Sequence, residues 1–393
     1  MSKLHRPSPA VSFVGRHNSG KTTLLVKVIA ELVSRGLNIG TVKHHGHAEF
    51  DIDYPGKDSF RHREAGSCDT VIVSPVRMAR VTELKREPSC DEVVATMPDH
   101  DLVIVEGYRQ SGLPVIEVFR RANERDLAAA EEFCATGSVR GAFPCAVVTD
   151  MDEVAASARQ RNLRVFGLED VVGIADYLVD VFARPALTVA IQAGGESRRM
   201  GQSKATVPFL GRPLLERIVS RVAPAADELI VTTNEPERLG FLEAMELGCP
   251  VRLVTDCYDE RGALKGMATA FEAARSPLVA IVACDMVFAS APLIVEEASK
   301  LHAGGFDAMV PANKFGYEPF HAVYRKDACL PAVQAAIERG KNRARDFFDD
   351  VNLGLFQYED LRRVVPEGGC FINTNTPDEL ARIERGIEED GDR

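Results

Sequence analysis

The sequence predicts an α/β protein of two domains, each built on a largely parallel sheet. Three observations carry that expectation. Short apolar runs alternate with helical patterns along the whole chain, which is the signature of βαβ units. At 393 residues the chain exceeds one ordinary core. The alternation also breaks once, at Ala183-Arg184-Pro185-Ala186, where the proline cannot continue a helix and pushes its predecessor towards extended geometry. The boundary is placed there, giving domains over residues 1–184 and 186–393.

In the first half the apolar runs place strands at Val11–Val14, Ile39–Val42, Thr70–Val73, Leu102–Val105, Val115–Phe119 and Ala146–Val148. Helical patterns cover Lys21–Ser34, Asp58–Ala65 and Val171–Phe182. A new strand, Leu187–Ile191, opens the second half. Further strands follow near Glu228–Thr232, Val251–Val254, Leu278–Ala283, Ala308–Val310 and Phe320–Val323.

Composition narrows the function classes. Hydrophobic residues make up 45% of the chain, enough to bury two cores. No window holds the roughly 20 apolar residues of a membrane helix, so no membrane association is expected. Residues 1–10 have no apolar segment of the secretory kind. The 9 cysteines form no CxxC pair, a usage that suits reduced thiols in a cytoplasm better than disulfides or zinc. A net charge of −11 speaks against general nucleic-acid binding.

Gly15-Arg16-His17-Asn18-Ser19-Gly20-Lys21-Thr22 has the phosphate-binding spacing G-x-x-x-x-G-K-[ST], with an apolar strand before it and a helix after it. Glycines let successive backbone N–H groups curl around phosphate oxygens, and the helix N-terminus adds a favourable dipole. Gly15, Asn18, Ser19 and Gly20 form that cradle, Lys21 brings charge to the phosphates, and Thr22 offers a hydroxyl to Mg²⁺. An acidic partner is expected at a strand's carboxyl end. Asp101 begins the strand 102–105 and Glu106 ends it, about 16 Å apart at ~3.3 Å per residue. Glu106 is therefore placed near the metal, and Asp101 reads as a solvated strand start. His44, His45 and His47, with Asp51 and Asp53, match no zinc spacing and read as a phosphate-facing or surface loop.

Together, this loop, the Lys-His-rich turn followed by Pro55-Gly56-Lys57-Asp58-Ser59, and the Val105-Glu106-Gly107-Tyr108 strand end resemble MobB, a GTP-binding adaptor family of molybdenum-cofactor biosynthesis. The likeness spans residues 9–182. It implies a P-loop NTPase-like fold, GTP as ligand, weak GTPase activity at most, and a homodimer formed through this domain.

The strand Leu187–Ile191 runs into Gln192-Ala193-Gly194-Gly195-Glu196-Ser197-Arg198-Arg199-Met200-Gly201-Gln202-Ser203-Lys204. Such a small-residue turn lets the backbone approach a phosphate or a base, and Arg199 and Lys204 bring cations to the same edge. Asp285 ends the apolar strand 279–283 at the edge where a parallel sheet presents its ligands. One well-placed carboxylate suffices for Mg²⁺ on a nucleotide. Asp256 and Asn234 follow two further strands at that edge. Near the end of the chain, Thr376-Pro377-Asp378-Glu379 reads as a capping box, which leaves Asn373 and Asn375 as candidate substrate contacts.

The Gln-Ala-Gly-Gly-x-Ser-x-Arg-Met-Gly-x-x-Lys loop, Cys284-Asp285, Gly262-Ala263-Leu264-Lys265-Gly266 and Asn373-Thr374-Asn375-Thr376-Pro377-Asp378-Glu379-Leu380 together resemble MobA, the molybdenum cofactor guanylyltransferases, over residues 187–390. That resemblance implies a Rossmann-like nucleotidyltransferase sheet and GMP transfer from GTP to molybdenum-molybdopterin, with release of pyrophosphate. It places GTP on Gly194, Gly195, Lys204, Asn234 and Asp256, Mg²⁺ on Asp285, and Lys204 and Arg199 on the departing pyrophosphate. Molybdoenzymes or other cofactor-biosynthesis proteins are the implied partners. Two departures stand out: Gln192 replaces the commoner Leu, and Gly-Ala-Leu-Lys-Gly replaces Gly-Pro-Leu-Ala-Gly. Two alternatives compete, a sugar-phosphate nucleotidyltransferase and a non-catalytic GTP-dependent delivery adaptor.

Overall fold

The computed structural model describes residues 5–46, 53–194, 203–258, 262–313, 316–374 and 376–390. They fall into two compact units, His5–Arg184 and Pro185–Arg393.

In the first unit the strands are β1 (Ala10–Val14), β2 (Ile39–Lys43), β3 (Asp69–Ser74), β4 (Arg77–Thr82), β5 (Leu102–Glu106), β6 (Val115–Phe119), β7 (Ala146–Thr149) and β8 (Arg164–Phe166). Six of them form one sheet in the order β2-β5-β1-β6-β7-β8, with every neighbouring pair parallel. β1, β5, β6 and β7 are sealed on both faces, which is why they read as near-continuous apolar runs. On one face Phe13, Ile104 and Ile116 pack with Leu25, Val28 and Leu178 of the helices Lys21–Ser34 and Val171–Val181.

The run 70–73 behaves differently from the expected parallel strand. It lies in β3, which among the described residues pairs with β4 alone, as a separate antiparallel ribbon. Val71, Ile72, Val73, Val76 and Met78 of this hairpin are exposed. Strand propensity and apolar character are right there, but the tight Ser74–Arg77 connection favours local pairing over insertion into the distant sheet.

The second unit contains β9 (Leu187–Gln192), a short hairpin of β10 (Pro208–Phe209) and β11 (Arg212–Pro213), β12 (Glu228–Thr232), β13 (Val251–Val254), β14 (Leu278–Ala283), β15 (Ala308–Asn313), β16 (Gly316–Tyr317), β17 (His321–Arg325) and β18 (Leu353–Phe356). Its main sheet runs β13-β12-β9-β14-β17-β15-β16, with β18 beside β15. β13, β12, β9 and β14 are mutually parallel, so their carboxyl ends share one edge. The strand expected at 320–323 is β17 and runs antiparallel to β14, so this sheet is mixed. The last helix, Pro377–Asp390, opens on the expected capping box: Thr376 N–H donates to Glu379 and Glu379 N–H to the Thr376 hydroxyl, each at 3.2 Å.

A buried acid lies where the helix Ala291–Gly304 crosses β17. His321 Nε2 accepts the Ser290 N–H at 3.0 Å, so the ring proton sits on Nδ1, 3.4 Å from Glu297 Oε1. Both side chains are fully buried, and burial pushes the Glu297 carboxyl up to about 7. An unfolded glutamate ionises near about 4.3. Between those values the unfolded chain gives up its proton before the folded one does. The stability present at low pH is therefore lost as pH rises through this window, by about 4 kcal/mol. Denaturant melts from pH ~4 to ~8 should show that loss, and Glu297→Gln should flatten it; an unchanged slope in the variant would contradict the assignment.

Candidate functional site

In the first unit the phosphate-loop spacing becomes a closed turn between β1 and the helix Lys21–Ser34. Asn18 and Gly20 adopt left-handed backbone, with φ 66 and 82. Gly15 has no room for a side chain, since a Cβ would lie 2.8 Å from the Val118 carbonyl oxygen. Ser19 is buried and donates to the Arg16 carbonyl at 2.8 Å. Lys21 Nζ folds back over the loop to Arg16 O at 2.6 Å and Ser19 Oγ at 3.1 Å, and burial lowers its pKa. Thr22 Oγ1 donates to Glu106 Oε1 at 2.8 Å. The structure thus brings the loop, the lysine, the threonine and the strand-end acid together.

Asp101, by contrast, is no solvated strand start. It accepts from the Asn38 N–H at 2.9 Å and from Arg184 at 2.7 Å, tying down the opposite end of β5. Two features escape the sequence motif. Lys43 Nζ lies 3.3 Å from the same Glu106 oxygen. Glu117, fully buried inside β6, ion-pairs with Arg16 at 3.0 Å and also with Arg109, which anchors the loop from beneath. An acid in the middle of the apolar run Val-Ile-Glu-Val-Phe was the available signal.

The histidine-rich turn assembles no metal site among the described residues. His44 bonds Glu87 at 2.6 Å and packs against the Tyr108 ring, and Asp53 accepts from Ser59 at 3.0 Å. His47 and Asp51 lie outside the described residues.

In the second unit the shared carboxyl edge of β12, β9 and β14 opens into a cleft of about 580 Å³. Gly194, Lys204, Asp256, Asp285 and Asn373 line it. Lys204 Nζ donates to Asp285 Oδ2 at 2.9 Å, and both side chains are largely buried, 19% and 18% exposed. Asn234 donates to Asp256 Oδ2 at 3.0 Å. Gly194 fits tightly over that pair, because a Cβ there would meet Asp256 Oδ2 at 3.0 Å. The Asp285 carbonyl accepts from Thr374 N at 3.1 Å and Thr374 Oγ1 at 3.2 Å, and a β-bridge joins Met286 to Asn373. The Asn-Thr segment is thereby pinned beside Asp285. Gly195, Arg199 and Asn375 lie outside the described residues.

Burial pushes the thiol of Cys284, beside Asp285, up to about 12. Gln192 Nε2 is buried without a hydrogen-bond partner among the described residues, its carboxamide packed on Gly266. The bare Gly266 leaves the space this larger side chain needs. Glu318 and Phe320 also line the cleft. Their arrival from the antiparallel side of the sheet leaves no local sequence mark.

The donor set fits Mg²⁺. One strand-end carboxylate at the cleft, with a second acid at the same edge, is what that ion uses when substrate phosphates and water complete its shell.

Two family models match this chain: "Molybdopterin guanine dinucleotide synthesis protein B" over residues 10–137 and "MobA-like NTP transferase domain" over residues 189–357. A probable molybdenum cofactor guanylyltransferase of Carboxydothermus hydrogenoformans is 32% identical over 200 residues, which is 50% of this chain and 94% of that protein. The molybdenum cofactor guanylyltransferase of Desulfosudis oleivorans is 31% identical over 208 residues, 52% of this chain and 96% of that protein. The molybdopterin-guanine dinucleotide biosynthesis adapter protein of Escherichia coli is 34% identical over 179 residues, 44% of this chain and 92% of that protein. The chain therefore belongs to two families at once, the MobB-like adapter proteins in its first half and the molybdenum cofactor guanylyltransferases, which are nucleotidyltransferases, in its second.

Proposed function

We propose that the cleft of the second unit binds GTP and transfers its GMP moiety to the terminal phosphate of molybdenum-molybdopterin. An acceptor phosphate oxygen forms the new bond to the α-phosphorus as the α–β bridging bond breaks, and pyrophosphate leaves with the bonding electrons. The acceptor is already an anion near neutral pH, so the reaction needs no general base. Positioning and charge neutralisation then carry the catalysis.

The observation that carries this reading is the Lys204–Asp285 pair, 2.9 Å apart at a cleft that Gly194 and Asp256 also line. Lys204 neutralises the departing pyrophosphate, with Arg199 as a second cation. Gly194, Gly195, Asn234 and Asp256 hold the nucleotide. Asp285 holds Mg²⁺, which supplies electrostatic stabilisation of the phosphates. Asn373 and Asn375 contact the acceptor.

The first unit takes a second GTP on Gly15, Asn18, Ser19, Gly20, Lys21 and Thr22, with Glu106 and Thr22 beside its Mg²⁺. Residues 1–184 and 186–393 act as separable domains. The exposed apolar ribbon of β3 and β4 supports a homodimer through the first domain. Nine free cysteines support a reducing, cytoplasmic setting. No helix among the described residues is long and apolar enough to cross a membrane. Molybdoenzymes are the expected recipients of the product.

Pyrophosphate release from GTP with molybdopterin, compared with a panel of sugar 1-phosphates, is the test. Turnover is expected with molybdopterin alone. Turnover with a sugar phosphate would favour the other acceptor class, and no turnover with any acceptor would favour a non-catalytic adaptor.

A further inference from the structure

Lys204 makes one part of the cleft suited to phosphates. Another part of the wall has the opposite character. Glu318 follows β16, and its main chain is fixed from both sides: its N–H donates to Pro311 O at 2.9 Å and its carbonyl accepts from His321 N at 3.1 Å. One carboxyl oxygen, Oε1, accepts from Asn313 Nδ2 at 2.7 Å. The other has no hydrogen bond among the described residues, although burial pushes the carboxyl pKa upward. Glu318 lines the open cleft, where N–H donors of a ligand can take the place of solvent water.

Two neighbours define which donors would suit. Phe320 lines the same cleft and is fixed by its carbonyl, which accepts from Ala283 N at 3.1 Å. An aromatic ring of this kind offers a planar heterocycle a face to stack on. Asn373 adds an amide on the same cleft wall, next to Asp285 through the bridge to Met286. A carboxylate, an aromatic ring and an amide make a poor phosphate site and a good heterocycle site. A carboxylate binds best to two parallel N–H donors.

We propose that Glu318, with Phe320 and Asn373, recognises the adjacent N–H and NH2 groups of a 2-amino-4-oxopyrimidine ring, the edge that guanine and pterin share. This rests on the guanylyl-transfer reading, in which both heterocycles enter the cleft. Glu318 takes both donors of that edge with its carboxylate, while Phe320 stacks on the ring. The subsite selects by shape and donor pattern and takes no part in the bond-breaking step.

Glu318→Gln is the test, because glutamine keeps the size and can still accept from Asn313 but places an NH2 where a donor edge needs an acceptor. Three measurements are made on the full chain: binding of GTP against inosine triphosphate, which lacks the 2-amino group; titration with a fluorescent free pterin; and KM and kcat for molybdopterin. Loss of a charge-assisted pair should cost about tenfold or more in affinity. If the pterin is the ligand, pterin binding weakens and the molybdopterin KM rises by that factor, with kcat and GTP affinity retained. If guanine is the ligand, GTP loses its advantage over inosine triphosphate while pterin binding is unchanged. Changes within about twofold in both binding arms overturn the subsite. A wild-type chain that shows no transfer refutes the transfer reading instead, and the two binding arms still decide the role of Glu318.

Discussion

Replacing Asp285 with alanine is expected to lower guanylyl transfer by about 10²–10³-fold or more while the fold survives. Both halves of that expectation come from the same geometry. The Asp285 side chain lies at a strand end, where it contributes nothing to the apolar cores. The contacts that fix the local chain run through its main-chain carbonyl, which takes the N–H and hydroxyl of Thr374. Truncation at Cβ leaves those contacts in place. What disappears is the carboxylate facing the cleft and its pairing with Lys204. That carboxylate is the group assigned to the metal, so the triphosphate would lose both a bound cation and the ordering of Lys204. Turnover at saturating GTP and Mg²⁺, with a thermal melt as control, checks this. Wild-type turnover in a well-folded variant would rule out the metal assignment.

Lys21→Ala is the second large effect, and it separates the two glycine loops. Lys21 Nζ sits over the loop, bonded to Arg16 O and Ser19 Oγ, where phosphate oxygens would replace the loop's own acceptors. Hydrogen bonds from a charged donor contribute about 1.5–3 kcal/mol each, so GTP affinity in the first unit should fall roughly 10- to 150-fold. Calorimetry should count about two GTP sites per chain in the wild type and about one in the variant. Transfer to free molybdopterin should persist, because every residue assigned to that reaction lies in the second unit. A wild-type chain binding a single GTP, or a variant without transfer, would mean that the loops build one shared site.

Much of this arrangement is legible in the sequence because it depends on local order. The flanks of the Gly15–Thr22 loop, and the acids that end β5 and β14, follow from strand direction alone: in a parallel sheet, the residue after the strand lies at the ligand edge. Thr376 to Glu379 cap a helix through contacts three residues apart, and the pattern translates directly into structure. The misreadings have a different origin. The run 70–73 has strand composition, but composition does not choose a partner, and β4 is nearer along the chain than the sheet. The helices Cys90–Ala95, Glu124–Thr136 and Asp152–Gln160 are short or alanine-rich, so few large apolar side chains mark them in the sequence. Asp101 found its role in Arg184, 83 residues away, and Glu117 in two arginines that precede it, Arg109 nearby and Arg16 about a hundred residues earlier. Glu318 and Phe320 reach the cleft only because β17 turns back beside β14. Such pairings are products of tertiary folding, which no window of sequence contains.

Guanylyl transfer in the second unit would move the α-phosphate of GTP to a phosphorylated pterin. The fate of labelled phosphate tests it most directly. The full chain is incubated with Mg²⁺, molybdenum-molybdopterin and GTP carrying the label at the α or the γ position, and the products are separated. The expected result is α-label in the pterin dinucleotide and γ-label in pyrophosphate, in equal amounts. Label released only as inorganic phosphate from the γ position, with none joined to the pterin, would mean that the chain hydrolyses GTP without transferring GMP, and guanylyl transfer would be ruled out.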